Sequence, residues 1–304
     1  MAALALTYDP GAMSRFNATL QLGMELELLD FMLVVREASA PLAALTKSVR
    51  ESGGHVRYLH LAAKVERAHL HQPDALPAFA CLACEEPRQR SSAVDAIITM
   101  LKGLRASEVE TIVLHAGPLL GKSALGLRQK IEISADQAPL AADLLGEIRE
   151  LHERLAGQAL DALCRSLHEI ELSLDGMAKL AICTPSSPLE WCMPGELEAV
   201  LDDGRKRGRG YWHRTCAAAQ LGRLGVCAED LWYGLFSAGL AGVSLADCIG
   251  LEGGQAPGLG DVDFKRVAKG IATSTPQVLE MAPDTSVTKL KFGCDVLREQ
   301  GLMR

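Results

Sequence analysis

Histidine and cysteine are the residue types in this chain that could ligate a metal, pass a proton or act as a nucleophile near neutral pH. Several stand where short β-rich runs end. His60 lies at the end of the run Val56 to Leu61 and His115 closes the run Thr111 to His115, so the two could line one mouth. A strand-end histidine that only hydrogen-bonds a neighbour is the competing reading. Cys183 ends the run Leu180 to Cys183, while Cys216 and Cys248 follow the ends of two later runs. Three thiols at strand ends could meet as a soft-metal, redox or nucleophilic site, although cysteine more commonly behaves as a small buried hydrophobe. Cys81 and Cys84 have C-x-x-C spacing, but no second pair and no zinc-finger histidines accompany them, so they read as loop thiols. His69 and His71 form an H-x-H in a long connection and read as surface residues. Tyr211, Trp212 and Trp191 could floor a pocket, and core packing explains Trp212 equally well.

These positions need elements to hold them. Short β-rich runs alternate with longer amphipathic stretches along the whole chain, the pattern of repeated β-α units around a parallel sheet. The expected strands are Ala3 to Thr7, Met24 to Leu28, Val56 to Leu61, Thr111 to His115, Leu180 to Cys183, Gly210 to Arg214, Gly242 to Ala246 and Gln277 to Met281. Helical periodicity marks Leu42 to Val49, Ala93 to Leu104, Leu140 to Leu174, Glu196 to Asp203, Ala228 to Ala238, Phe264 to Ile271 and Val287 to Leu297. Eight strands with interleaved helices and no glycine-rich dinucleotide loop predict a single (β/α)8 TIM barrel, α/β class, over residues 1–304. Two long connections, Ala62 to Gln89 and Pro118 to Leu140, would rise from the C-terminal face, where barrel chemistry happens.

Bulk properties exclude several partners. With 48% hydrophobic and 23% charged residues the chain can build a sizeable core. A net charge of -7 and a pI near 5.7 give no reason to expect a nucleic acid. The one basic run, Arg205 to Arg209, reads as a solvated loop. No apolar stretch reaches the ~20 residues of a membrane span, and no secretion signal is evident. Nine cysteines, an odd number at irregular spacing, do not read as a disulfide framework, so reduced thiols and a cytoplasmic location are expected.

From Thr111 onward the order of strand ends resembles the xylose isomerase-like TIM barrel superfamily, which includes sugar phosphate isomerases and epimerases and AP endonuclease 2 (endonuclease IV-type) enzymes. The phrases that carry the resemblance are Ile112 to Gly117, Leu180 to Thr184, Gly210 to Ala218, Gly242 to Cys248, Ala256 to Phe264 and Val278 to Glu280. Each is weak alone, and six in the right order are specific. The segment Leu22 to Leu28 fits less specifically.

The resemblance implies a divalent metal held by carboxylates and histidines at strand ends, polarising a sugar carbonyl or hydroxyl. This sequence departs from that set at most places. Cys183 stands for the first metal-binding Glu, Arg214 for the usual Asp, Ala217 for the His that follows it, Ser244 and Ala246 for the histidines before Asp247, and Gly254 for a later His. Glu280 and His115 survive. The family metal is therefore expected to be lost, leaving no metal ligands and no cofactor. A guanidinium at position 214 would repel a cation and pair with Glu280 or Asp247, or else grip an anionic ligand.

Two classes of function follow. One is a non-catalytic or regulatory barrel, a pseudoenzyme that binds a small anionic molecule, a protein partner or a second copy of itself. The other is an active isomerase, epimerase or lyase, metal-independent or with a rebuilt metal site. In that case Glu280, His115, Arg214 and Asp247 would be its catalytic groups, and His60, Trp212 and Cys183 its ligand-binding ones.

Overall fold

The computed structural model describes residues 2–63, 65, 69, 76–104, 109–134, 137–282 and 284–303. His71 and Pro73, in the long connection after the third strand, lie outside them. Eight parallel strands close a barrel: β1 (Ala2–Thr7), β2 (Asp30–Val35), β3 (His55–Leu61), β4 (Thr111–Leu114), β5 (Lys179–Cys183), β6 (Gly210–Arg214), β7 (Leu240–Leu245) and, last in the chain, Gln277–Leu279, which pairs with both β7 and β1. The helices α1 (Met13–Glu25), α2 (Leu42–Glu51), α3 (Pro87–Leu101), α4 (Lys122–Ser134), α5 (Ala142–Leu174), α6 (Pro194–Gly204), α7 (Thr215–Arg223), α8 (Glu229–Phe236), α9 (Phe264–Gly270) and α10 (Val287–Glu299) lie between or after the strands. Between β7 and α9 sits a small hairpin, β8 (Asp247–Ile249) and β9 (Glu252–Gln255), and Gln277–Leu279 is accordingly β10.

The second strand is not where its alternation placed it. Met24 and Glu25 end α1, whose Phe16, Leu20 and Gly23 form a buried stripe at helical spacing. Glu27, at φ 58, turns the chain out of that helix. The strand is the continuous apolar run Phe31 to Val35, every residue buried, as expected when both faces of a parallel strand are covered. Burying Phe16 and Leu20 contributes about 1.5–3 kcal/mol each, more than an exposed strand at Met24 could offer. Part of the connection expected between Pro118 and Leu140 is helix α4, and Thr215–Arg223 is a further helix that strand-end reading passed over.

α5 runs for 33 residues with Leu144, Ile148, Leu151, Leu163, Leu167, Ile170 and Leu174 buried at three- and four-residue spacing. It ends at Asp175 in the left-handed conformation, followed by Gly176. One member of the basic run is not solvated. Arg209 is 5% exposed, donates to Glu171 at 2.7 and 3.0 Å and to Asp203 at 3.1 Å, and gives a further hydrogen bond to the Val200 carbonyl. A guanidinium with three acceptors at once meets the requirement that a buried charge be paired.

Among the described residues no helix is long and apolar enough to cross a membrane.

Candidate functional site

Side chains alternate along a strand, so alternate residues face the barrel axis. One interior layer is Tyr58, Val113, Ala181, Trp212 and Val278, which pack together with Met32 and Val34. Two residues further along each chain, towards the C-terminal ends of the strands, the same faces present His60, His115, Cys183, Arg214 and Glu280. Ser244 on β7 joins them. The period of two thus places five ionisable groups from five strand ends on one face of a water-excluding floor.

They form a connected row. Arg214 Nη2 stands 3.6 Å from Glu280 Oε1, and that same oxygen lies 3.4 Å from His60 Nδ1. His60 Nε2 meets His115 Nε2 at 3.0 Å, and His115 Nδ1 lies 3.8 Å from Glu190 Oε2. Arg214 also donates through Nη1 to Ser186 Oγ at 2.7 Å. His60 and Cys183 are each 1% exposed, whereas the side chains of Arg214 and Glu280 are 22% and 17% exposed, so the charged end of the row reaches the mouth.

Burial by itself would raise the pKa of Glu280, but Arg214 and then His60 outweigh it and hold the carboxyl well below the ordinary range. Glu190 follows the same logic: burial pushes up, His115 and the Ser186 amide pull down further, and the group stays ionised. For His115, burial disfavours the charged form, and Cys183 and Glu190 together overcome it, raising its pKa. Three buried atoms of this row, His60 Nδ1, Arg214 Nε and Glu280 Oε2, make no hydrogen bond, and only Trp232 Nε1 shares that condition among the described residues. Orphaned polar atoms are costly unless something else uses them.

Glu190 and Ser186 were not legible as site residues, because they lie in the connection after β5 and not at a strand end. That connection is clamped to the one after β4: Leu119 N donates to the Leu189 carbonyl at 2.8 Å and Trp191 N to the Gly117 carbonyl at 2.9 Å. Gly117 has φ +103, and a side chain there would run into the Ala80 carbonyl of the connection after β3. The only sequence signal was a lone Glu seven residues past a strand end in a Ser- and Pro-rich loop.

Other expected site residues stand elsewhere. Asp247 is fully buried beyond the end of β7, where Oδ1 accepts from the Cys248 and Val262 amides and Oδ2 from the Gly258 and Gly260 amides, all at 2.9 Å. Its two oxygens are thereby committed to holding the connection between the hairpin and α9, and Arg214 pairs with Glu280 instead. Trp212 is fully buried in the barrel interior, its ring 5.3 Å from Tyr58, and its indole N–H donates to Ser244 Oγ at 2.9 Å. It supports the site from below and offers a ligand no surface. Trp191 packs edge-on against His152, and Tyr211 faces outward to stack on Trp232. The three strand-end thiols separate: Cys216 pairs with Cys248, whereas Cys183 joins His115. Cys81 and Cys84 are buried neighbours. His69 lines a cleft of about 280 Å³ with Tyr8, Asp9, Arg36, Glu37 and Pro77, near the ends of the first strands.

The hard divalent ion implied by the fold family does not fit these residues. Magnesium and manganese take oxygen ligands, yet the layer presents a thiol at Cys183 and sets the Arg214 guanidinium against the carboxylate of Glu280. Among the described residues, the ligand atoms that do converge are those of His60, His115 and Cys183, which all lie within 4.8 Å of one another.

No family model and no curated protein matches the sequence. Solved structures do. The 3-keto-D-glucoside 4-epimerase YcjR from E. coli is 10% identical over 98% of this chain and 98% of that one, with a TM-score of 0.63. The D-psicose 3-epimerase of Clostridium cellulolyticum H10, solved with D-tagatose, is 10% identical over 99% of each chain at a TM-score of 0.61. A xylose isomerase domain protein from Planctomyces limnophilus is 12% identical over 98% of this chain and 95% of that one, at 0.54. The fold is therefore the (β/α)8 TIM barrel that these structures share.

Proposed function

We propose that this xylose isomerase-like barrel binds a small anionic hydroxy-carbonyl compound of the sugar-phosphate or sugar-acid class at its C-terminal mouth, and exchanges a carbon-bound proton on it. The observation that carries the reading is that Arg214 and Glu280, joined by a long ion pair of 3.6 Å between Nη2 and Oε1, each keep a buried atom without a hydrogen bond, Arg214 Nε and Glu280 Oε2. One is a donor and the other an acceptor. A ligand with an oxyanion or carbonyl oxygen next to a hydroxyl-bearing carbon satisfies both.

The chemistry follows from electrostatics. While Arg214 faces Glu280 alone, the carboxylate is too weak a base to take a proton from carbon. A ligand oxygen that draws on the guanidinium relieves that hold, and the pKa of Glu280 rises. Glu280 then takes the proton α to the carbonyl, the C–H electrons form the enolate double bond, and Arg214 holds the oxygen that gains charge. Return of the proton to either face of the same carbon, or to its neighbour, restores the carboxylate. No oxidant or co-reactant is consumed. The nine cysteines, free thiols in a chain of this size, support a cytoplasmic setting.

The Arg214–Glu280 contact also favours a second reading, in which the ion pair plugs a silent site that serves only as a binding or regulatory surface. Calorimetric titration with a panel of sugar phosphates, hydroxy acids and free ketoses separates the two. Binding of the anionic members, weakened ~10–100-fold in Arg214→Ala through loss of charge-assisted hydrogen bonds, is expected. If no member binds and Arg214→Ala merely loosens the fold, the plug is all there is.

A further inference from the structure

The row of buried groups contains an arrangement that proton transfer at Glu280 does not require. His60 and His115 point their Nε2 atoms at each other across 3.0 Å, and each turns its Nδ1 towards a carboxylate, Glu280 at 3.4 Å and Glu190 at 3.8 Å. Where a carboxylate draws the imidazole proton to Nδ1, Nε2 is left as a lone pair. With the proton on both Nδ1 atoms, the two Nε2 lone pairs face each other across 3.0 Å, an arrangement that a shared proton or a bound cation relieves. Cys183 Sγ supplies a third donor, within 4.8 Å of both rings.

We infer that His60, His115 and Cys183 form a site for a borderline-soft divalent cation of the zinc type, oriented by Glu280 and Glu190. Zinc–nitrogen bonds of ~2.0–2.1 Å at tetrahedral angles set two imidazole nitrogens about 3.3 Å apart, close to the separation observed. A shared proton would need only the two rings, whereas the converging thiol gives the cation a third, soft ligand. Charge balances as well: the ion and Arg214 are offset by the thiolate, Glu280 and Glu190. His60 Nδ1, buried and without a hydrogen bond, becomes the stronger donor towards Glu280 once Nε2 is ligated. Three protein ligands leave a fourth position open, the pattern of a catalytic and not a structural zinc. The site shares Glu280 with the proposed proton transfer, but metal binding is measured without substrate, so either reading can fail alone.

The test is titration of the chelator-treated full-length protein with cobalt(II) and with zinc(II). One equivalent of cobalt should bind with a thiolate-to-metal charge-transfer band, be displaced by zinc, and lose that band in Cys183→Ser. Glu280→Gln and Glu190→Gln should weaken binding about 10–100-fold. A measurement without variants guards against misfolding: zinc should protect Cys183 of the native protein from alkylation, read by mass spectrometry. Absence of saturable binding overturns the inference. So does failure of zinc to protect Cys183, or binding with an unchanged band in both Cys183→Ser and His60→Gln, which would place the ion at another thiol pair.

Discussion

His60 Nε2 and His115 Nε2 stand 3.0 Å apart with their rings within 11° of parallel, and this contact joins the carboxylate at the end of one strand to a loop glutamate on the far side of the barrel. The two residues are 55 positions apart in sequence. Their meeting follows from the pairing of β3 with β4, in which His60 stands opposite Val113 and β4 then gives its next inward residue, His115, to the mouth. The ordering Arg214, Glu280, His60, His115, Glu190 makes the mouth one electrostatic unit, so a change at either end is felt along the row.

Asp247 is a fold residue, and its removal should show as lost stability. Four backbone amides depend on its two oxygens, and Gly260 approaches the Cys248 carbonyl too closely for any side chain. Asp247→Ala leaves those donors unpaired in a buried setting, a cost of about 3 kcal/mol or more. Chemical denaturation followed by circular dichroism should find that loss. A midpoint equal to that of the parent chain would show that the connection between the hairpin and α9 is held some other way.

His213 makes stability depend on pH. It is fully buried, with Tyr211 and Tyr233 hydroxyls on its two ring nitrogens at 2.7 and 2.9 Å, and burial lowers its pKa to about 3. The unfolded chain takes up this proton near the ordinary value of about 6.5. Between those values the unfolded state holds more protons, so stability falls as pH falls, by ~1.4 kcal/mol per unit from this group. The slope of unfolding free energy between pH 6 and pH 4 should be shallower by that amount in His213→Gln. Equal slopes in the two proteins would mean that the native state accepts the proton.

The barrel was readable because its strands are apolar runs of the right length, separated by helical stripes. Met24 to Leu28 misled because Glu25 and Glu27 create an alternation that, in three dimensions, belongs to the end of a helix. The inward set His115, Cys183, Arg214 and Glu280 was readable from strand ends, and so was His60. Glu190 and Ser186 were not, since a loop residue reaches the site only through pairing between two loops, and no periodicity encodes that. Asp247 was misplaced because its carboxylate is spent on amides contributed 11 to 15 residues later, at Gly258, Gly260 and Val262. The separation of Cys183 from Cys216 and Cys248 depends on parity: Cys183 faces the axis, and the other two lie past the ends of their strands.

Proton transfer by Glu280 is tested most directly by solvent deuterium uptake into sugar phosphates, sugar acids and free ketoses, measured by mass spectrometry with and without added manganese. Exchange is expected at the carbon next to the carbonyl, strongest with anionic substrates and not raised by manganese. It should fall ~10²–10⁴-fold in Glu280→Gln, the range expected for loss of a general base, and fall also in Arg214→Ala. Exchange that requires manganese and survives in Arg214→Ala, or no exchange with any member of the panel, would contradict it.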